Sequence, residues 1–153
     1  MKETHRISYL LDQLYHGHAW IDVNIIDTLK KVTGKQAATK ILPNCNSIWE
    51  ITNHLIGWRE NILQRIQGKP APSPEDNYFS AIKDHSEEAW MATLNKLDRS
   101  QRDWLDLLDK LDPGNLDIIF PPGVFDGYAL AHGILQHDAY HLGQIVLLAK
   151  LFQ

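Results

Sequence analysis

GYALAHGILQHDAYHLGQIVLL, residues 127–148, carries apolar residues at Leu130, Ile134 and Leu148, with Leu151 continuing the series. The spacing alternates between four and three, the period of one helix face and not of a strand. His137, His141 and Gln144 occupy the same stripe, at positions that packing would otherwise give to apolar side chains. The stretch therefore predicts a helix from about Asp126 to the C-terminus, with two histidines one turn apart on its inner face.

Working back along the chain, DPG at 112–114 punctuates a second periodic segment: Trp90, Leu94, Leu97, Gln101, Trp104, Leu108 and Leu111. Ser86 precedes it as an N-cap, and Glu87 and Glu88 suit the positive end of the helix dipole. Between these two helices, NLDIIFPPGVFDG (115–127) holds a short apolar run that predicts a strand-like turn. Further upstream, Ser47-Ile-Trp-Glu50 matches a capping box, opening a helix that runs to about Gln67, where Gly68 and Pro70 stop it. Its inner face is Ile48, Ile51, His54, Leu55, Trp58, Ile62 and Ile66. The first stripe reads Ile7, Leu11, Leu14, His18, Ile21, Ile25, Thr28 and Val32, which predicts one long helix ending near Gly34. A single short helical turn is expected between it and Pro43.

Four inward stripes predict an all-α chain, a four-helix bundle formed by residues 1–153 as one domain. The connection GKPAPSPEDNYFSAIKD (68–84) spans up to ~50 Å when extended, at ~3.3 Å per residue. A 20-residue helix is ~30 Å long. This crossover can return the chain along the bundle and leave the second and third helices parallel.

Composition narrows the function classes. Net charge is −4 with histidine neutral, and lysine and arginine are scattered, so the basic footprint of a nucleic-acid binder is missing. No apolar run approaches 18 residues, which argues against a membrane span. The N-terminus MKETHRISYLLDQ shows no signal-peptide pattern. The lone Cys45 rules out an intrachain disulfide framework and suits a reducing compartment. A cytoplasmic location is expected. Cys45 precedes a helix start but has no adjacent histidine, and it reads as an ordinary thiol.

The histidines divide by position. His137 and His141 lie at i and i+4, their Cβ atoms ~5–6 Å apart, close enough for both rings to reach one ion. His54, on the inner face of the second helix between Ile51 and Trp58, is the best third ligand, because burying a lone imidazole without a partner is costly. His18, on the first stripe, is its rival, as a ligand or a cavity-lining group. His16 should be exposed, His132 should point away from the stripe, and His5 and His85 lie near chain or helix ends. Asp138 stands about 100° round the helix from His137, as an interhelical or solvated carboxylate or as a proton-transfer partner of the site. Tyr140 is either packing or a hydroxyl near the site. Trp20, Trp49, Trp58, Trp90 and Trp104 read as core or interface. A di-iron bundle site needs a glutamate from each of two helices and Glu-x-x-His from the other two. The last helix offers only Asp126 and Asp138, and Glu50 precedes His54 by four residues, so a mononuclear site is the better fit.

These residues also carry a family resemblance. SIWEITNHLIGWRENILQRIQG and GYALAHGILQHDAYHLGQIVLL resemble the DinB-like family, with DQLYHGHAWID, SEEAWMATLNKL and the long connection extending the likeness over most of the chain. The most specific part is the single second-helix histidine combined with HDAYHLGQI. The resemblance implies an up-down-down-up bundle in which His54, His137 and His141 bind a divalent metal, commonly nickel or zinc. His18 has no counterpart in that motif. Some similar proteins activate a low-molecular-weight thiol (bacillithiol, mycothiol or glutathione) for attack on an electrophile, and others resemble hydrolases.

Two functions follow as expectations. In the first, a metal-dependent enzyme uses a metal-bound thiol or water as its nucleophile on a small-molecule substrate, as a thiol S-transferase or a hydrolase. In the second, a metal-stabilised bundle binds a small molecule or protein without catalysis. A homodimer is expected from the apolar and aromatic content and from the resemblance.

Overall fold

The computed structural model describes residues 1–121 and 123–153. Its helices are α1 (Glu3–Tyr15), α2 (Ile25–Leu29), α3 (Gly34–Ala38), α4 (Ile48–Ile66), α5 (Glu87–Lys110) and α6 (Gly127–Lys150), with a 3₁₀ turn at Pro113–Asp117 before α6. Among the described residues there is no strand, and the chain is all-helical. No helix among them is long and apolar enough to cross a membrane.

The long helices start where their caps say. Ser47 accepts from the Glu50 amide while Glu50 accepts from the Ser47 amide, a reciprocal box at the head of α4. Ser86 caps α5 through the Ala89 amide, and Asp126 caps α6 through the Ala129 amide. At the end of α4, Gly68 takes φ +75°, the left-handed conformation that glycine adopts without steric cost.

Two apolar clusters fix how the four long helices run. One joins Leu14 and Tyr15 of α1, Ile48–Ile56 of α4, Trp90–Leu97 of α5 and Leu142–Ala149 of α6. The other joins Ile7 and Leu11, Ile62 and Ile66, Trp104–Leu111, and Leu130–Ile134. Moving from the first cluster to the second advances along α4 and α5 but retreats along α1 and α6. Thus α4 and α5 are parallel, and α1 and α6 run against them. The bundle centre, between the clusters, is polar: Arg59, Ser100, Gln101 and Asp138 are all buried there.

The first stripe is the main correction. One helix to Gly34 was expected, but α1 stops at Tyr15 and the chain turns through 16–24. Gly17 is a poor helix residue, and its carbonyl is taken by the Asn24 side chain, which also caps α2 through the Asp27 amide. Ile21 and Trp20 consequently face outward, and Trp20, expected in core or interface, is 96% exposed. Gly34 does not end a helix but begins α3, behind a second capping box formed by Thr33 and Gln36. Its amide donates to Glu87 at 2.6 Å, and a Cβ at this position would lie 2.9 Å from the Ser86 carbonyl oxygen. Close approach to the head of α5 explains the glycine. In the loop before α6, Ile119 pairs with Asp126 in an isolated antiparallel bridge. Pro122, inside that loop, lies outside the described residues.

Candidate metal centre

α4 presents His54 and α6 presents His137 and His141, and one ring nitrogen from each lies within 4.8 Å of the others. His54 Nε2 stands 2.9 Å from His137 Nε2. The outer nitrogens explain which face is offered. His54 Nδ1 lies 2.6 Å from the Asn77 carbonyl oxygen, and His141 Nδ1 lies 2.7 Å from Gln144 Oε1. Each acceptor requires an N–H at Nδ1, so the neutral rings keep bare lone pairs at Nε2. The His54 Nε2 lone pair faces His137 Nε2 at 2.9 Å, a separation at which either a proton or a cation must lie between the two nitrogens. A first-row divalent ion fits this donor set, and the backbone and amide acceptors behind the rings are the outer partners that metal-ligating histidines usually have.

Burial favours the neutral form of two of the rings, His54 and His141. Burial pulls the His54 pKa down to about 4, with His141 and His137 adding to the shift and the Asn77 carbonyl opposing it. His141 is also held below the ordinary histidine range, chiefly by burial. Phe79 stacks on the His54 ring at 4.0 Å between centroids, sealing its other face.

Asn77 supplies a part of the centre that the sequence reading missed. It lies in the crossover connection, where Asn77 and Tyr78 both have positive φ, +51° and +64°. Non-glycine residues rarely hold this conformation, and two in succession need surrounding contacts to keep them there. Trp58 Nε1 donates to Asn77 Oδ1, Asn61 Nδ2 donates to Tyr78 Oη, and the Tyr78 ring lies over Gly57. α4 thus fixes the loop that in turn fixes His54.

Asp138 is a buried interhelical carboxylate, 0% exposed. Its Oδ2 accepts from Arg59 Nε at 2.9 Å and Nη2 at 2.7 Å, while Arg59 Nη1 donates to Gln101 Oε1 at 3.0 Å. Asp138 Oδ1 and His137 Nδ1 are both buried without a hydrogen-bond partner, 3.9 Å apart. Sequence reasoning passed over Arg59, although it follows Leu55 by four residues and precedes Ile62 by three, on the stripe itself.

The remaining expectations resolve by position. His18 is exposed in the α1–α2 turn and shares a separate depression with His16, so it does not join the three. His132, expected to point away, instead lines the same cleft as the three histidines, its Nε2 buried without a partner. Tyr140 is largely exposed and packs edge-on against His141 at 4.9 Å. Cys45 is an exposed free thiol. Trp49, Trp90 and Trp104 are core, and Trp58 is half-buried beside the site. The cleft measures about 1020 Å³, with Trp58, Phe79, Phe125, Tyr128 and Tyr140 among its walls.

Fold and site together define an all-helical bundle with a three-histidine group able to hold one cation at the edge of an aromatic cleft. The DinB superfamily model matches residues 24–145, and the chain belongs to that superfamily. The match takes in all three histidines and leaves α1 outside it. No curated protein and no solved structure matches the chain.

Proposed function

We propose that this protein is a divalent-metal enzyme of the thiol S-transferase or hydrolase type, with His54, His137 and His141 as ligands of zinc or nickel. The observation that carries this reading is the arrangement of ring nitrogens. Asn77 and Gln144 take the Nδ1 protons of His54 and His141, and one ring nitrogen from each of the three histidines converges at the edge of a cleft large enough for a small molecule. A divalent ion on three neutral imidazoles keeps its full charge and so lowers the pKa of a coordinated thiol or water. The protein's own part is positioning. Asn77 and Gln144 hold the rings, Phe79 shields His54, and the cleft walls Trp58, Tyr128 and Tyr140 give an electrophile a surface to lie on.

A non-catalytic, metal-stabilised binding module is the second reading. It is favoured by one observation: among the described residues no carboxylate lines the cleft, and the nearby Asp138 is engaged by Arg59. The two readings separate in solution. Metal analysis of purified protein should give one ion per chain, and His54→Ala should lose it while keeping helical content. Metal retained in that variant would overturn the ligand assignment. With metal bound and thiol supplied, loss of an electrophile that is abolished by chelator supports the enzyme. Inertness to a broad panel of thiols, electrophiles and esters supports the module.

A further inference from the structure

The cleft has a polarity of its own. The chain carries 19 acidic residues against 15 basic ones, yet no acid lines the cleft among the described residues. Among the described residues its one permanent cation is Arg65, on the same side of α4 as His54 and Trp58. Arg65 Nε and Nη2 donate to the Ala71 carbonyl at 3.2 and 3.0 Å, with Ser73 Oγ at 3.4 Å from Nη2. No carboxylate pairs with it among the described residues, and Nη1 makes no hydrogen bond there. Trp58 lies between the two polar ends of the cleft, its ring 6.5 Å from His137 and 5.9 Å from Arg65 Cζ. Arg65 follows His54 by eleven positions along α4, about 16 Å at the helical rise of ~1.5 Å per residue.

We propose that this cleft takes an elongated, largely apolar or aromatic carboxylate, its anionic group on Arg65, its body along Trp58 and Tyr128, and its far end at the three histidines. Guanidinium is suited to the choice because it is always charged, and with its Nε/Nη2 edge held by the Ala71 carbonyl it still has Nη1 to donate to a carboxylate. With no acid in the cleft walls among the described residues to compete, its field acts on the ligand, and the aromatic walls reward an apolar body over a compact, hydrated one. This substrate class rests on the catalytic reading above; the binding it requires does not.

The test uses the protein of residues 1–153 as purified, its metal content measured, titrated calorimetrically with 6-phenylhexanoate and with the neutral 6-phenylhexanamide. The carboxylate should bind at least ten-fold tighter than the amide. Arg65→Gln should remove that preference while leaving amide affinity within about two-fold. Arg65→Lys, which keeps the charge and a donor for the Ala71 carbonyl, should restore part of it. Equal affinities in the parent protein, no binding of either compound at millimolar concentration, or a preference unchanged in Arg65→Gln would each overturn the proposal. The failures are separable. A His54→Ala protein that keeps its metal sinks the ligand assignment and leaves the anion preference standing, whereas equal affinities sink the anion and leave the metal.

Discussion

Arg59 and Asp138 meet in the bundle interior with 1% and 0% of their side chains exposed, Nε and Nη2 both donating to the same carboxylate oxygen. The pair joins α4 to α6 one residue from His137, and Arg59 also reaches α5 through Gln101. It separates the two apolar clusters with a charged layer. Removing one partner leaves the other charge dry and uncompensated, which typically costs ~3–5 kcal/mol. Arg59→Met and Asp138→Ala should therefore each lower the unfolding midpoint steeply, by ten degrees or so at ~2–4 °C per kcal/mol. The double variant Arg59→Met/Asp138→Leu should regain most of that loss, because no buried charge remains. Thermal melts of the four proteins decide it, and single variants as stable as the parent would show that the pair is not desolvated.

Gly57 should matter for the metal more than for the helix. It lies in the middle of α4, where glycine costs about 1 kcal/mol relative to alanine, so propensity alone makes Gly57→Ala stabilising. A Cβ there would fall 2.2 Å from Tyr78 Cγ, however, so the ring and its positive-φ backbone must shift. That shift pulls the Asn77 carbonyl away from His54 Nδ1. Loss of such an outer partner typically weakens metal binding 10–100-fold. Competition titration of zinc against a chromophoric chelator should show that weakening in Gly57→Ala with helical content unchanged. Asn77→Gly, which keeps the carbonyl and suits positive φ but loses the bond from Trp58, should weaken zinc less than Gly57→Ala does. Unchanged zinc affinity in Gly57→Ala would detach this loop from the site.

How much of this the sequence showed depended on whether a local rule held without tertiary help. The faces of α4 and α5 were legible because nearly every residue of both stripes is buried: Ile48, Ile51, His54, Leu55, Ile62 and Ile66, then Trp90 through Leu111. His54 and the α6 pair were legible because imidazoles on an apolar stripe demand partners. The α6 stripe holds at Leu130, Ile134, His141 and Leu148, is one step off at His137 and Gln144, and fails at Leu151, which is exposed past the helix end. Asp138 and Ile145 lie deeper than His137 and Gln144, and an aspartate at the centre looks implausible until Arg59 is seen facing it. The break after Tyr15 was hidden because apolar spacing continued through Gly17 and Asn24, whose mutual hydrogen bond is a turn and not a helical contact. Asn77 was out of reach for a different reason. It acts on His54 through its backbone carbonyl, which every residue has, so no side-chain pattern could mark it.

The histidine centre should also make the metal-free protein acid-sensitive in a definite window. An unfolded histidine titrates near 6.5, whereas burial holds folded His54 down to about 4 and lowers His141 as well. Between those values the unfolded chain binds more protons than the folded one, so stability rises with pH across the window. The contribution is complete above about pH 6.5 and is lost as pH falls from there towards 4. By pH 5 the loss for His54 is on the order of 2 kcal/mol. Urea denaturation of metal-free protein at pH 7.5, 6.0 and 5.0 should show midpoints falling in that order, and His54→Gln should fall less. Saturating zinc should raise the pH 7.5 midpoint most and the pH 5.0 midpoint least, since protons and metal compete for the same nitrogens. Midpoints independent of pH in the metal-free parent would mean that His54 and His141 are hydrated and free to charge, which their burial between α4 and α6 does not permit.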